Sequence, residues 1–168
     1  MKIFDVHVHV GDKFAWKEEA FGYLMSLGKK YENRLYDKDG NQVDSEFHKI
    51  MVEERVSHAI ILPEYAPKIA CLHPVERVLK VSEKYDEFIP FGALNPHLHN
   101  PTKEFNRQLE LGVKGLKLHP VHCEHYVNDK VFYPVYEKCA GLGIPVMMHA
   151  GTSIFTGSRM RYADPYTY

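Results

Sequence analysis

Residues Lys2 to Val10 read Lys-Ile-Phe-Asp-Val-His-Val-His-Val. Two histidines one residue apart, in a run of β-branched and aromatic residues, put both imidazoles on one face of a strand. Their Cα atoms then lie roughly 6–7 Å apart, so both rings can reach one metal ion at about 2.0–2.1 Å. Asp5 shares that face at a deeper level, where a carboxylate either orients a ligand or bonds buried backbone. Val6, Val8 and Val10 face the other way, toward an apolar layer. Two later runs also end in histidine, Gly115 to His119 and Pro145 to His149. If these strands face one interior, His7, His9 and His149 can converge on one divalent ion. Three neutral imidazoles suit zinc first, and also iron, nickel, cobalt or manganese. Such an ion with an open position activates water or polarises a substrate oxygen.

The elements that must position these residues follow in order. The opening strand gives way at Gly11 to a long excursion, residues 12–49, rich in aromatic and charged side chains. Asp37-Lys38-Asp39-Gly40-Asn41 marks a turn within it. An insertion of this length tends to be functional, and it is expected to contain a short helix that caps the histidine face. Ser45 to Arg55 has helical spacing, with Ser45 as its cap. Apolar runs at 58–62, 88–94, 113–118 and 144–148 predict four more strands. Helical patterns at 74–84, 102–111 and 132–140 alternate with them, and Asp164-Pro165 opens a further helical turn. Strict alternation argues an α/β fold with a parallel sheet. No GxGxxG follows the first strand, which weighs against a dinucleotide-binding fold. In a (β/α) barrel the chemistry sits at the C-terminal ends of the strands. His7, His9, Glu64, Asn95, Lys117, His119 and His149 all fall there.

The chain has 168 residues, a net charge of −1, 45% hydrophobic and 26% charged residues, which suits one globular domain. Its lysines and arginines are scattered, so nothing electrostatic favours a nucleic-acid partner. No apolar run is long enough to span a membrane. The three cysteines, Cys71, Cys123 and Cys139, are widely spaced, and reduced thiols in a cytoplasmic protein are expected.

The opening Asp5-Val6-His7-Val8-His9, the run Gly112 to Pro120 and the run Pro145 to Gly151 together resemble the amidohydrolase superfamily, in its "amidohydrolase 2" branch. The resemblance extends over nearly the whole chain. It implies a TIM-type (β/α)8 barrel, of which residues 1–168 are expected to cover about the first five βα units as one domain. It also implies that His7, His9 and His149 are metal ligands. The family's fourth ligand, an aspartate after the eighth strand, and its catalytic histidine after the sixth are expected beyond this chain, so no catalytic residue is assigned. The implied function is metal-dependent hydrolysis of a C–N or C–O bond of a small molecule, with non-oxidative decarboxylation of a small carboxylic acid as the alternative. A third expectation is an inactive half-barrel that needs a homo-oligomeric partner or a complementing C-terminal segment.

His119, Lys117 and Arg161 are expected to bind substrate, Lys117 as a charge inside the barrel and Arg161, beside Arg159, as a carboxylate partner. Glu64 is expected to be a solvated loop charge. His122 and His125 are expected on a surface loop, and His97 and His99 in a turn-rich connection.

Overall fold

The structure is a computed structural model that describes residues 2–168. The chain runs β1 (Ile3–His9), α1 (Glu18–Leu35), α2 (Asp44–Glu53), β2 (Val56–Leu62), β3 (Glu64–Tyr65), β4 (Leu72–His73), α3 (Val75–Ser82), β5 (Phe88–Leu94), α4 (Pro101–Glu110), β6 (Gly115–Leu118), α5 (Pro120–Cys123), α6 (Tyr133–Leu142) and β7 (Val146–Met148). Five strands form one parallel sheet in the order β1-β2-β5-β6-β7. This is the α/β, half-barrel arrangement that the alternation predicts. The expected elements fall within a few residues of their observed bounds. The short antiparallel pair β3–β4 was not expected, because two-residue strands leave no readable alternation.

Helices cover one side of the sheet through two apolar clusters. Val10, just after β1, and Ala59, Ile61 and Phe88 from the strands meet Phe47 and Met51 of α2 and Val78 and Val81 of α3. Leu94, Leu116 and Leu118 meet Phe105 of α4, Phe132, and Val135 and Cys139 of α6. Gly115, Lys117 and His119 alternate with Leu116 and Leu118, so they point to the opposite, inner side. Gln108 of α4 is fully buried and grips β5, accepting from the Ala93 N–H at 3.0 Å and donating to its carbonyl at 2.9 Å.

Two expectations are corrected here. Val6 does not enter the apolar layer but is 54% exposed. β1 is an edge strand, and one extra residue between Asp5 and Val8 breaks its register with β2. Ser45 does not cap α2, which starts one residue earlier, at Asp44. The Asp44 carboxylate is held instead by Arg77 and, at 2.8 Å, by Lys84.

The excursion carries more helix than its pattern predicts: α1 has 18 residues, bent at Gly28. Its two ends meet. The Lys13 N–H donates to the Gly40 carbonyl at 2.8 Å. The Gly11 N–H donates to Gln42 Oε1 at 3.0 Å, and the Gln42 N–H to Asp12 Oδ1 at 2.8 Å.

Candidate active site

β1 and β7 lie at opposite edges of the sheet, four strand spacings apart. Flat, that would be about 19 Å at roughly 4.8 Å per strand. The curvature of the sheet instead brings the ends of β1, β2, β6 and β7 around one open cavity of about 620 Å³. His7, His9, Glu64, His119, His122 and His149 line its floor, and Trp16, Phe21, Leu24, Met25, Ile154 and Phe155 supply apolar wall. The excursion therefore caps the histidine face, as its length suggested.

His7 and His9 share a face and point their Nε2 atoms at each other, 3.2 Å apart. Two donors about 2.0–2.1 Å from a tetrahedral ion lie about 3.3 Å from each other, so this pair matches one edge of such a site. Asp5 fixes the backbone beside them by accepting the His7 N–H at 2.9 Å. His149 is not brought equally close: no compact set of donors among the described residues includes it with His7 and His9. Its ring stacks on His119 at 4.2 Å, and His119 stacks on His122 at 3.7 Å. The compact donor set is Glu64, His119 and His122, whose ligand atoms lie within 4.8 Å of one another.

Glu64 and His122 correct the sequence reading. Glu64 is 4% exposed, not solvated, and His122 is 5% exposed, not on a surface loop. Glu64 Oε1 accepts from His122 Nδ1 at 2.6 Å, and its Oε2 lies 3.9 Å from His9 Nδ1. The signal available in the sequence was position: Glu64 directly follows the second barrel strand, and His122 the fourth. His125 is also buried, beside Phe132, whereas His97 is an exposed loop residue as expected.

Lys117 is 3% exposed on the inner side, and burial pulls its ammonium down to about 8 against the opposing pull of Glu64. His119 is buried beside it. Arg161 stays outside the cavity, its guanidinium donating to Tyr162 Oη at 2.9 Å and lying over that ring. Arg159 is paired with Glu124 at 3.2 Å. The expected carboxylate clamp is therefore not formed, because Arg161 is taken by its neighbour Tyr162 and Arg159 by Glu124, just after α5.

Burial lowers the imidazoles: His7 is lowered, His9 is pushed down to about 4, His119 falls well below its usual value, and His149 is lowered. Neutral imidazoles with free lone pairs are the form that binds metal. His9 Nδ1, His119 Nδ1 and His149 Nε2 are buried with no hydrogen-bond partner among the described residues. Burial alone would raise the Glu64 carboxyl; the imidazoles around it, His119 first, hold it well below the usual carboxylate range. Glu64→Ala would leave the His122 Nδ1–H buried and unpaired, at a cost of about 2 kcal/mol. Urea denaturation of the two proteins at pH 7 measures it.

His125 gives a pH dependence remote from these donors. Burial holds it down to about 4, against about 6.5 in the unfolded chain. Between those values the unfolded state binds the extra proton, so stability falls as pH falls through that window, by about 3 kcal/mol in all. Denaturant midpoints from pH 7 to pH 4 should drop, and His125→Phe should flatten part of the drop.

A half-barrel of parallel strands, with imidazoles at their C-terminal ends, defines a partial (β/α) barrel. The profile of the amidohydrolase family matches residues 52–168, and the chain belongs to that family. The matched range begins after the β1 histidines. An uncharacterised TIM-barrel protein from Bordetella bronchiseptica superposes with a TM-score of 0.70 at 17% identity, over 99% of this chain and 61% of its own. A probable 2-pyrone-4,6-dicarboxylic acid hydrolase from Acinetobacter baumannii, solved with citric acid bound, superposes with a TM-score of 0.56 at 16% identity, over 89% of this chain and 50% of its own. These likenesses establish the barrel fold. No curated protein matches the sequence. Among the described residues no helix is long and apolar enough to cross a membrane.

Proposed function

We propose that this site is a metal-dependent hydrolase centre that cleaves a C–N or C–O bond of a small molecule. The observation that carries the reading is the His7–His9 pair, 3.2 Å apart at the floor of the cavity. His7, His9 and His149 are the proposed ligands of one divalent ion, zinc first, with iron, manganese, nickel and cobalt sharing the same donor chemistry. Bound there, such an ion supplies an activated water or a polarised substrate oxygen.

The remaining residues bind and orient. Lys117 keeps most of its charge at neutral pH and offers it on the inner side of β6 to an oxyanion of the substrate. His119 presents a neutral ring beside it. Trp16, Phe21 and Phe155 give the body of the substrate an apolar wall and limit access of bulk water. Decarboxylation stands second, because Arg159 and Arg161 are engaged elsewhere and Lys117 alone of the three expected cations is left to hold a carboxylate. The assembly that acts is proposed to be a homo-oligomer or this chain with a complementing segment.

The test is a zinc-loaded sample offered lactones, esters and amides in one panel and aromatic and enoic acids in another. Acid release that stops on chelation supports the reading. Carbon dioxide release without hydrolysis transfers it to decarboxylation. No metal uptake and no turnover removes the enzyme reading for this chain.

A further inference from the structure

Glu64, His122 and Ser153 form a continuous chain of hydrogen bonds, at 2.6 Å from Glu64 Oε1 to His122 Nδ1 and 2.8 Å from His122 Nε2 to Ser153 Oγ. We propose that Ser153 is a nucleophile, activated by His122 and oriented through it by Glu64, that accepts an acyl group from a carboxylic ester. The three come from the ends of three different barrel units, and all line or border the same cavity.

Donor and acceptor accounting fixes where the protons are. A carboxylate only accepts, so His122 presents an Nδ1–H to Glu64, and in the neutral ring Nε2 keeps a lone pair. Ser153 Oγ accepts from the Phe155 N–H at 3.3 Å and from Ser158 Oγ at 3.0 Å. Its own proton is thereby left for His122 Nε2. This is the tautomer and the order of groups that a serine nucleophile requires, recognised by geometry and not by order in the chain. The His122 ring is held from both sides, by His119 at 3.7 Å and Phe155 at 5.4 Å. The amide of Ile154, next to the nucleophile, has no hydrogen-bond partner among the described residues and remains free to donate to a developing oxyanion.

The step balances as follows. The Ser153 Oγ–C bond forms while the hydroxyl proton passes to His122 Nε2. The C–O bond to the leaving group then breaks, and His122 returns the proton to the departing alkoxide, which leaves as the alcohol. Water attacks the acyl-serine, gives one proton through Nε2 to Ser153 Oγ, and releases the carboxylic acid.

An alkyl fluorophosphonate probe tests this directly, since it forms a P–O bond with an activated serine and expels fluoride. The purified chain is labelled with and without chelator, and the adduct is located by peptide mass. The expected result is one adduct on Ser153, present in both samples and absent in Ser153→Ala. His122→Gln should slow labelling by about 100-fold or more. No adduct at Ser153, or a rate that His122→Gln leaves unchanged, overturns the proposal. If His122→Gln does not fold, Ser153→Cys takes its place: iodoacetamide should alkylate the new thiol at pH 7 about tenfold or more faster than an ordinary exposed cysteine. An ordinary rate overturns the proposal equally. Labelling that survives chelation separates this inference from the metal-dependent reading, whose failure would show as an absence of metal uptake with the adduct intact.

Discussion

His9→Ala is expected to weaken zinc binding by about 100-fold or more while the fold persists. Loss of a single outer-shell partner typically costs 10–100-fold in affinity, and His9 is proposed as a direct donor. Its Nδ1 makes no hydrogen bond, so the truncation strands no buried partner there. The stability cost should therefore stay near the usual ~1 kcal/mol of a point substitution. Isothermal titration with zinc, beside a thermal melt of the same samples, measures both. Unchanged affinity would move the ion to the compact Glu64, His119 and His122 set and leave His7 and His9 as substrate contacts.

The legibility of this site in the sequence follows a physical rule. His7 and His9 are one strand period apart, so local spacing alone placed their rings together. His149 ends its strand as read, yet its distance from His7 depends on how far a five-stranded sheet curls, which no local pattern encodes. Glu64 and His122 were missed because their meaning lies in each other, 58 residues apart in sequence and 2.6 Å apart in space. Read singly, a glutamate after Pro63 and a histidine after Pro120 look like loop charges. Arg161 failed the other way, because charge and position suggested a clamp but Tyr162, its immediate neighbour, captured it. The order of the five barrel strands and of the helices between them was legible, since apolar runs of four to eight residues alternated with helical spacing, whereas the short β3, β4 and α5 were not. The bulge in β1 was not, because its only trace is a broken register with β2.

Gly115→Ala is expected to be strongly destabilising. A Cβ at that position would meet the Phe91 ring at 2.2 Å. Phe91 is 3% exposed and sits directly opposite Gly115 in the β5–β6 ladder, so neither strand can retreat without losing its pairing. Overpacking of this kind costs about 1–3 kcal/mol, and the rigidity of the ladder places this case at the upper end. For a chain of this size that corresponds to a fall in melting temperature of roughly 6–12 °C. Lys117 lies two residues along the same face, so the strain should reach the floor of the cavity. Phe91→Leu combined with Gly115→Ala should recover most of the loss, and calorimetry of the three variants measures it. Full stability in Gly115→Ala alone would mean that the Phe91 ring has another place to go.

The joined ends of the excursion bear on how this cavity changes over evolutionary time. Residues 12–42 leave the barrel and return to it at nearly one point, where Gly11 meets Gln42 and Lys13 meets Gly40. The segment enters and leaves through one stem, and Trp16, bridged to Cys71, and Lys17, whose N–H donates to the Ala70 carbonyl at 2.8 Å, also pin it to the loop before β4. Its helix can be lengthened, shortened or exchanged without moving His7 and His9, which are fixed by the strand before the stem. The excursion's part of the apolar wall and the histidine floor thus belong to different stretches of the chain, so that part of the wall can be exchanged while the floor stays in place.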